Sequence, residues 1–138
     1  MHIVLAEDNP ADVLLVREAL REHGIDHSLH VIDDGDAALA FIDHLDANST
    51  ARCPDLLLLD LHLPKRNGGE ILRYLRASER CAQTPVVVLT SSESPRDQEN
   101  AERHAAVHYF VKPSRLGKFM ELGTIVKAFQ PPNRPLDA

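Results

Sequence analysis

The sequence predicts an α/β protein built on a doubly wound parallel sheet. Two observations lead there. Short apolar runs alternate five times with longer amphipathic ones along the 138 residues. Two of those short runs, Leu56–Leu59 and Val86–Leu89, are apolar at every position. That is the pattern of strands covered by helices on both faces. Parallel strands joined by right-handed helical crossovers then wind into one sheet.

The elements follow in order. His2–Ala6 reads as the first strand. Asn9 can cap the next helix, Pro10 suits its first position and Asp12 favours its first turn. Val13, Leu14, Val16 and Leu20 follow at helical spacing, and Gly24 closes the helix. Ser28–Ile32 is a second strand. Asp34-Gly35 turns the chain into a helix carrying Ala37, Ala38, Phe41, Ile42 and Leu45. After a polar connection, Leu56–Leu59 is the third strand. Asn67-Gly68-Gly69-Glu70 then opens a helix in the manner of a capping box, with Ile71, Leu72 and Leu75 on its apolar side.

Pro85–Leu89 is the fourth strand, and Ser94-Pro95-Arg96-Asp97 starts a polar fourth helix. Val107–Val111 is the fifth strand. A last helix is expected from Ser114 through Leu116, Phe119, Leu122, Val126 and Phe129, weakened at Gly117 and Gly123 by about 1 kcal/mol each. Leu122, Val126 and Phe129 are read as covering the sheet. One domain over 1–130 and a short tail over 131–138 are expected, with no output domain.

Composition bounds the function. The chain is 43% hydrophobic and 26% charged, with a formal charge of −6. That balance supports a packed core and lacks the basic face of a nucleic-acid binder. The N-terminus has no basic region before its apolar run, and no stretch approaches the roughly 20 residues of a membrane span. A soluble, cytoplasmic protein is expected. Cys53 and Cys81 form no CxxC pair, so they are expected to be free thiols in a reducing compartment. Eight histidines include His23, His27 and His30 near the second strand, at spacings that match no zinc motif.

In an open parallel sheet, ligands bind beyond the carboxyl ends of the strands. Glu7 and Asp8 follow the first strand, Asp60 the third, Thr90 the fourth and Lys112 the fifth. Pro64 has no N–H to donate, so the chain leaves the sheet soon after Asp60. Three carboxylates so close repel one another, and a hard divalent cation would relieve them. Oxygen donors suit Mg2+ or Mn2+. An Asp beside such a cation, with an ammonium opposite, is arranged to attack phosphorus.

These residues resemble the receiver domain of bacterial two-component response regulators. The matching motifs are Glu7-Asp8, Asp60 with Leu61-His62-Leu63-Pro64 and Gly68, Thr90-Ser91, and Lys112-Pro113, in order over residues 2–129. The stretches "AEDNPADVLLVREAL" and "DLHLPKRNGGEIL" look most like the stand-alone regulators that partner bacterial phytochrome histidine kinases. The resemblance implies a flavodoxin-like (βα)5 fold with strand order 2-1-3-4-5. It implies that Asp60 accepts a phosphoryl group from a sensor histidine kinase. Asp8 and Asp60 would ligate Mg2+ (Mn2+ substituting), Glu7 acting through water and His62 through its main-chain carbonyl. Thr90 would be the switch hydroxyl, Tyr109 the aromatic switch and Lys112 the phosphoryl partner, with Lys112-Pro113 joined by a cis bond.

The expected product is a phosphoprotein of phosphorelay signalling rather than an enzyme, although it assists its own phosphorylation and dephosphorylation. Its downstream partner is a protein target or a histidine phosphotransfer protein, with no nucleic acid or membrane, and with a homodimer as one form of readout. His62 and Ser92 occupy positions that tune phosphoryl lifetime in the family. Two other readings compete. One is a receiver-like interaction module that is never phosphorylated. The other is a Mg2+-dependent aspartyl-phosphate phosphatase, which needs an acid where His62 stands.

Overall fold

The computed structural model describes residues 1–131; the expected tail lies almost entirely outside them. Five strands form one parallel sheet in the order β2-β1-β3-β4-β5. They are β1 (His2–Ala6), β2 (Ser28–Ile32), β3 (Leu56–Leu59), β4 (Val86–Thr90) and β5 (His108–Val111). The helices between and after them are α1 (Pro10–Glu22), α2 (Gly35–Ala47), α3 (Gly68–Arg76), α4 (Pro95–Arg103), α5 (Leu116–Phe119) and α6 (Leu122–Lys127). The fold class and strand order are those expected.

The four leucines of β3 divide between two cores because strand side chains alternate. Leu56 and Leu58 join Ile3, Leu5, Val87 and Leu89 under α1, α5 and α6. Leu57 and Leu59 join Val4, Ala6 and Val86 under α2 and α3. A third, smaller cluster of Leu61, Val88 and Ala101 seats α4. In α1 the buried residues are Val16, Ala19 and Leu20, whereas Leu14, read as part of the apolar side, is 63% exposed.

Caps form where the sequence places them. The Asn9 side chain accepts from the Ala11 N–H at 2.9 Å, and Asn67 from that of Glu70 at 2.9 Å. Gly24, at φ +63°, ends α1 with paired bonds: its own N–H to the Arg21 carbonyl and that of Ile25 to Leu20.

The structure corrects the sequence reading in three further places. The last helix is two short ones, α5 and α6, beginning at Leu116 rather than Ser114, and Phe129 lies beyond α6. Gly123 sits at the closest approach of α6 to α1: a Cβ there would lie 2.7 Å from the Ala19 carbonyl oxygen. Leu122 and Val126 are fully buried, so this segment does cover the sheet.

Cys53 and Cys81 are not free thiols but a disulfide, 28 residues apart with Cα atoms 5.6 Å apart. Long-range packing brings them together, which motif spacing does not register. The Arg80 guanidinium donates to the carbonyls of Leu45, Asn48 and Ala51 at 2.5, 2.7 and 2.6 Å. Those bonds tie the connection before β3 to the one before β4. The inference from free cysteines to a reducing compartment therefore loses its basis.

The third correction is the Lys112-Pro113 bond, which is trans like every other described peptide bond. That is the lower-energy isomer for an X–Pro link.

Candidate functional site

Strand β1 pairs with β2 on one side and β3 on the other, so the winding reverses between β1 and β3. A crevice forms at such a reversal. Ala6 stands opposite Leu59, and the Asp60 N–H donates to the Ala6 carbonyl at 3.0 Å. That register delivers Glu7 and Asp8 beside Asp60. One carboxylate oxygen from each of the three lies within 4.8 Å of the others.

Their surroundings differ. Glu7 is buried at 1% exposure, Asp60 at 5%, and Asp8 faces solvent. Burial pushes the Glu7 carboxyl up to about 7, against the opposing hydrogen bonds from Lys112 and the Asn9 N–H. The Asp60 carboxylate accepts from the His62 N–H at 3.0 Å, while His62 itself is exposed on the rim.

Lys112 leaves the end of β5, where its N–H donates to the Thr90 carbonyl at 2.7 Å. Its ammonium donates to Glu7 Oε1 at 2.5 Å, Asp12 Oδ2 at 2.7 Å and Asp60 Oδ2 at 3.0 Å. An ammonium has three donor protons, so all three are used. Burial pulls its pKa down, but these carboxylates outweigh burial and raise it above the usual lysine value.

Thr90 is fully buried at the end of β4, and its hydroxyl accepts from the Ser92 N–H at 3.3 Å. Half-buried Tyr109 donates its hydroxyl to the Ser92 carbonyl at 3.0 Å. The Ser92 hydroxyl in turn donates to Asp97 at 2.5 Å, tying the loop after β4 to α4. A groove of about 610 Å³ opens alongside, lined by His62, Asn67, Arg96 and Arg103 among others.

The structure thus brings Glu7, Asp8, Asp60 and Lys112 into one pocket. Thr90 lies at the end of the neighbouring strand β4, and Tyr109, on β5, reaches the loop after Thr90 through its bond to the Ser92 carbonyl. Sequence reasoning missed Asp12 as a member of the pocket. It read Asp12 as a first-turn acid of α1, which it also is. The available signal was its place in the first turn of a helix that starts just beyond the carboxyl end of β1, four residues after Asp8.

The donor set suits a hard cation. Three carboxyl groups, two of them buried and one with its pKa raised by desolvation, form a pocket that a divalent ion would stabilise.

Residues 3–123 match the family model described as the response regulator receiver domain. The chain belongs to that family: it carries the receiver domain of a two-component response regulator. It is 42% identical over 95 residues to the response regulator Rcp1 of Synechocystis sp., covering 69% of this chain and 65% of Rcp1. The match therefore spans a little under two thirds of that relative's length.

Among solved structures, the phosphorylated cyanobacterial phytochrome response regulator RcpA superposes with a TM-score of 0.82 at 32% identity, covering 93% of this chain and 91% of RcpA. The Mn2+-bound form of Rcp1 superposes with a TM-score of 0.81 at 34% identity, covering 93% and 92%. Phytochrome-linked regulators are thus among this chain's relatives. No helix among the described residues is long and apolar enough to cross a membrane.

Proposed function

We propose that this protein accepts a phosphoryl group on Asp60 from a sensor histidine kinase and signals through phosphorylation-dependent contact with a partner protein. The observation that carries this is the Asp60 carboxylate, at the winding reversal, grouped with Glu7 and Asp8 and 3.0 Å from the Lys112 ammonium. The likeness to phytochrome response regulators supports a kinase of the phytochrome type as donor.

Glu7, Asp8 and Asp60 would hold Mg2+, with Mn2+ suited to the same donors and the His62 carbonyl as a further ligand. The ion supplies positive charge against the phosphoryl oxygens. The chain's own residues do the rest. Asp60 attacks phosphorus through a carboxylate oxygen, and the His62 N–H steadies that carboxylate. Lys112 neutralises charge on the incoming group.

The phosphoryl group adds about −1.5 to −2 charge at neutral pH. Thr90 would donate its hydroxyl to a phosphoryl oxygen. A shift of Thr90 moves the following loop, whose Ser92 carbonyl holds Tyr109. The Tyr109 side chain is the two-state element, and its surface on α4 and β5 is the readout. The protein is a phosphoacceptor rather than an enzyme with a released product.

The test is intact mass after incubation with Mg2+ and acetyl phosphate, for wild type and Asp60→Asn. One phosphoryl adduct that requires Mg2+ and is lost in the variant supports the proposal. An adduct that persists in Asp60→Asn overturns it.

A further inference from the structure

The ammonium of Lys112 has three carboxylate partners, and one of them has no part in the function just proposed. Glu7 and Asp60 belong to the acidic triad; Asp12 does not. Asp12 comes from the first turn of α1, a different element from the two that supply the triad's acids. Its side chain is 18% exposed, and that of Lys112 is 11% exposed, so the pair is largely shielded. At 2.7 Å this is a short, charge-assisted bond.

We propose that Asp12 is a positioning residue for phosphoryl acceptance: it anchors the Lys112 ammonium from outside the acidic triad. The inference rests on the phosphoacceptor reading of Asp60. The reaction draws on the other two anchors. Both Glu7 and Asp60 are among the acids assigned to a cation, and a cation competes with an ammonium for the same oxygens. Asp60 also changes chemically. In transfer from acetyl phosphate, an Asp60 oxygen forms the new bond to phosphorus. The bond from phosphorus to the acetyl oxygen breaks, and its electron pair leaves with acetate. No proton moves. Throughout, Lys112 must stay beside the transferring group on a long, flexible side chain. Asp12 is the partner whose bond survives both events.

Four variants read this out: Asp12→Ala removes the anchor, Asp12→Asn keeps an acceptor oxygen without the charge, and Asp12→Glu keeps the charge on a longer arm. Lys112→Ala removes what is anchored. Phosphorylation by acetyl phosphate at saturating Mg2+ is followed by intact mass, with donor concentration varied. The expected maximal rate falls about tenfold in Asp12→Ala, as for loss of a charge-assisted bond, and by less in Asp12→Asn, with Asp12→Glu restoring most of it. In a Lys112→Ala background, Asp12→Ala causes no further loss, because Asp12 acts through Lys112.

A second readout needs no phosphorylation. Urea unfolding of the metal-free single and double variants should show Asp12 and Lys112 coupled. Equal maximal rates for wild type, Asp12→Ala and Asp12→Asn overturn the proposal while leaving the phosphoacceptor reading intact. So does full additivity with Lys112→Ala in either readout. If wild type takes no phosphoryl group, the phosphoacceptor reading itself fails, and this proposal with it.

Discussion

At the scale of single residues, Lys112 decides the state of the pocket. Its ammonium is the common partner of Glu7, Asp12 and Asp60, two of which are almost fully buried. Removing one partner of a buried ionic group leaves the remaining charges uncompensated, a loss of about 3–5 kcal/mol when burial is complete. Here the exposed side of the pocket moderates it. Lys112→Met is expected to lower metal-free stability by about 2–3 kcal/mol in urea unfolding. It should also increase the stabilisation that added Mg2+ provides, since a cation then relieves unpaired acids. Equal Mg2+ responses in variant and wild type would show that Lys112 does not share oxygens with the cation site.

Individual residues were unevenly legible in the sequence. Asp60 announced itself because a carboxylate after four leucines has no place in a core. Asp12 did not, because an acid in a first turn already has a sufficient reason to be there. Its second role depends on the distance from α1 to the end of β5, which no local pattern contains.

At the scale of elements, the strands and the first four helices follow from periodicity and capping, and their observed limits differ from the expected ones by a residue or two. The C-terminal helical segment does not follow. Gly117 and Gly123 look alike in sequence, each a flexible point in a helix. In the structure they are opposites. A Cβ at Gly117 meets nothing within 4 Å, while one at Gly123 would meet the His23 ring and the Ala19 carbonyl. His23 itself bridges the two helices through Thr124 at 3.1 Å.

Gly117→Ala is therefore expected to stabilise by up to about 1 kcal/mol through helix propensity. Gly123→Ala should destabilise by about 1–3 kcal/mol through overpacking of α6 against α1. Both follow from urea midpoints. A stabilising Gly123→Ala would mean that α6 can move away from α1 at little cost.

At the scale of the whole molecule, the alternation of strands and helices fixes a doubly wound sheet, and the sheet fixes where the chemistry gathers. The strand order itself came from family resemblance, since periodicity does not say which strands are neighbours. The disulfide was illegible for the same reason: Cys53 and Cys81 meet where two connections distant in sequence pack together, and Arg80 bonds across the same junction. Closing a loop of this length stabilises by about 3–4 kcal/mol in the chain-entropy account. The non-reduced, denatured protein should take up no iodoacetamide, and reduction should lower stability by about 2–4 kcal/mol. Two alkylated cysteines without reductant would place the thiols in the free state in solution.

The phosphoryl group is proposed to sit on Asp60, and one experiment locates it directly. Borohydride reduces an aspartyl phosphate to homoserine, which marks the modified residue permanently. The protein would be incubated with Mg2+ and acetyl phosphate, reduced, digested and sequenced by mass spectrometry. Homoserine is expected at Asp60, and aspartate at Asp8 and Asp12. Homoserine at another acid, or none after a phosphoryl adduct has formed, would contradict it.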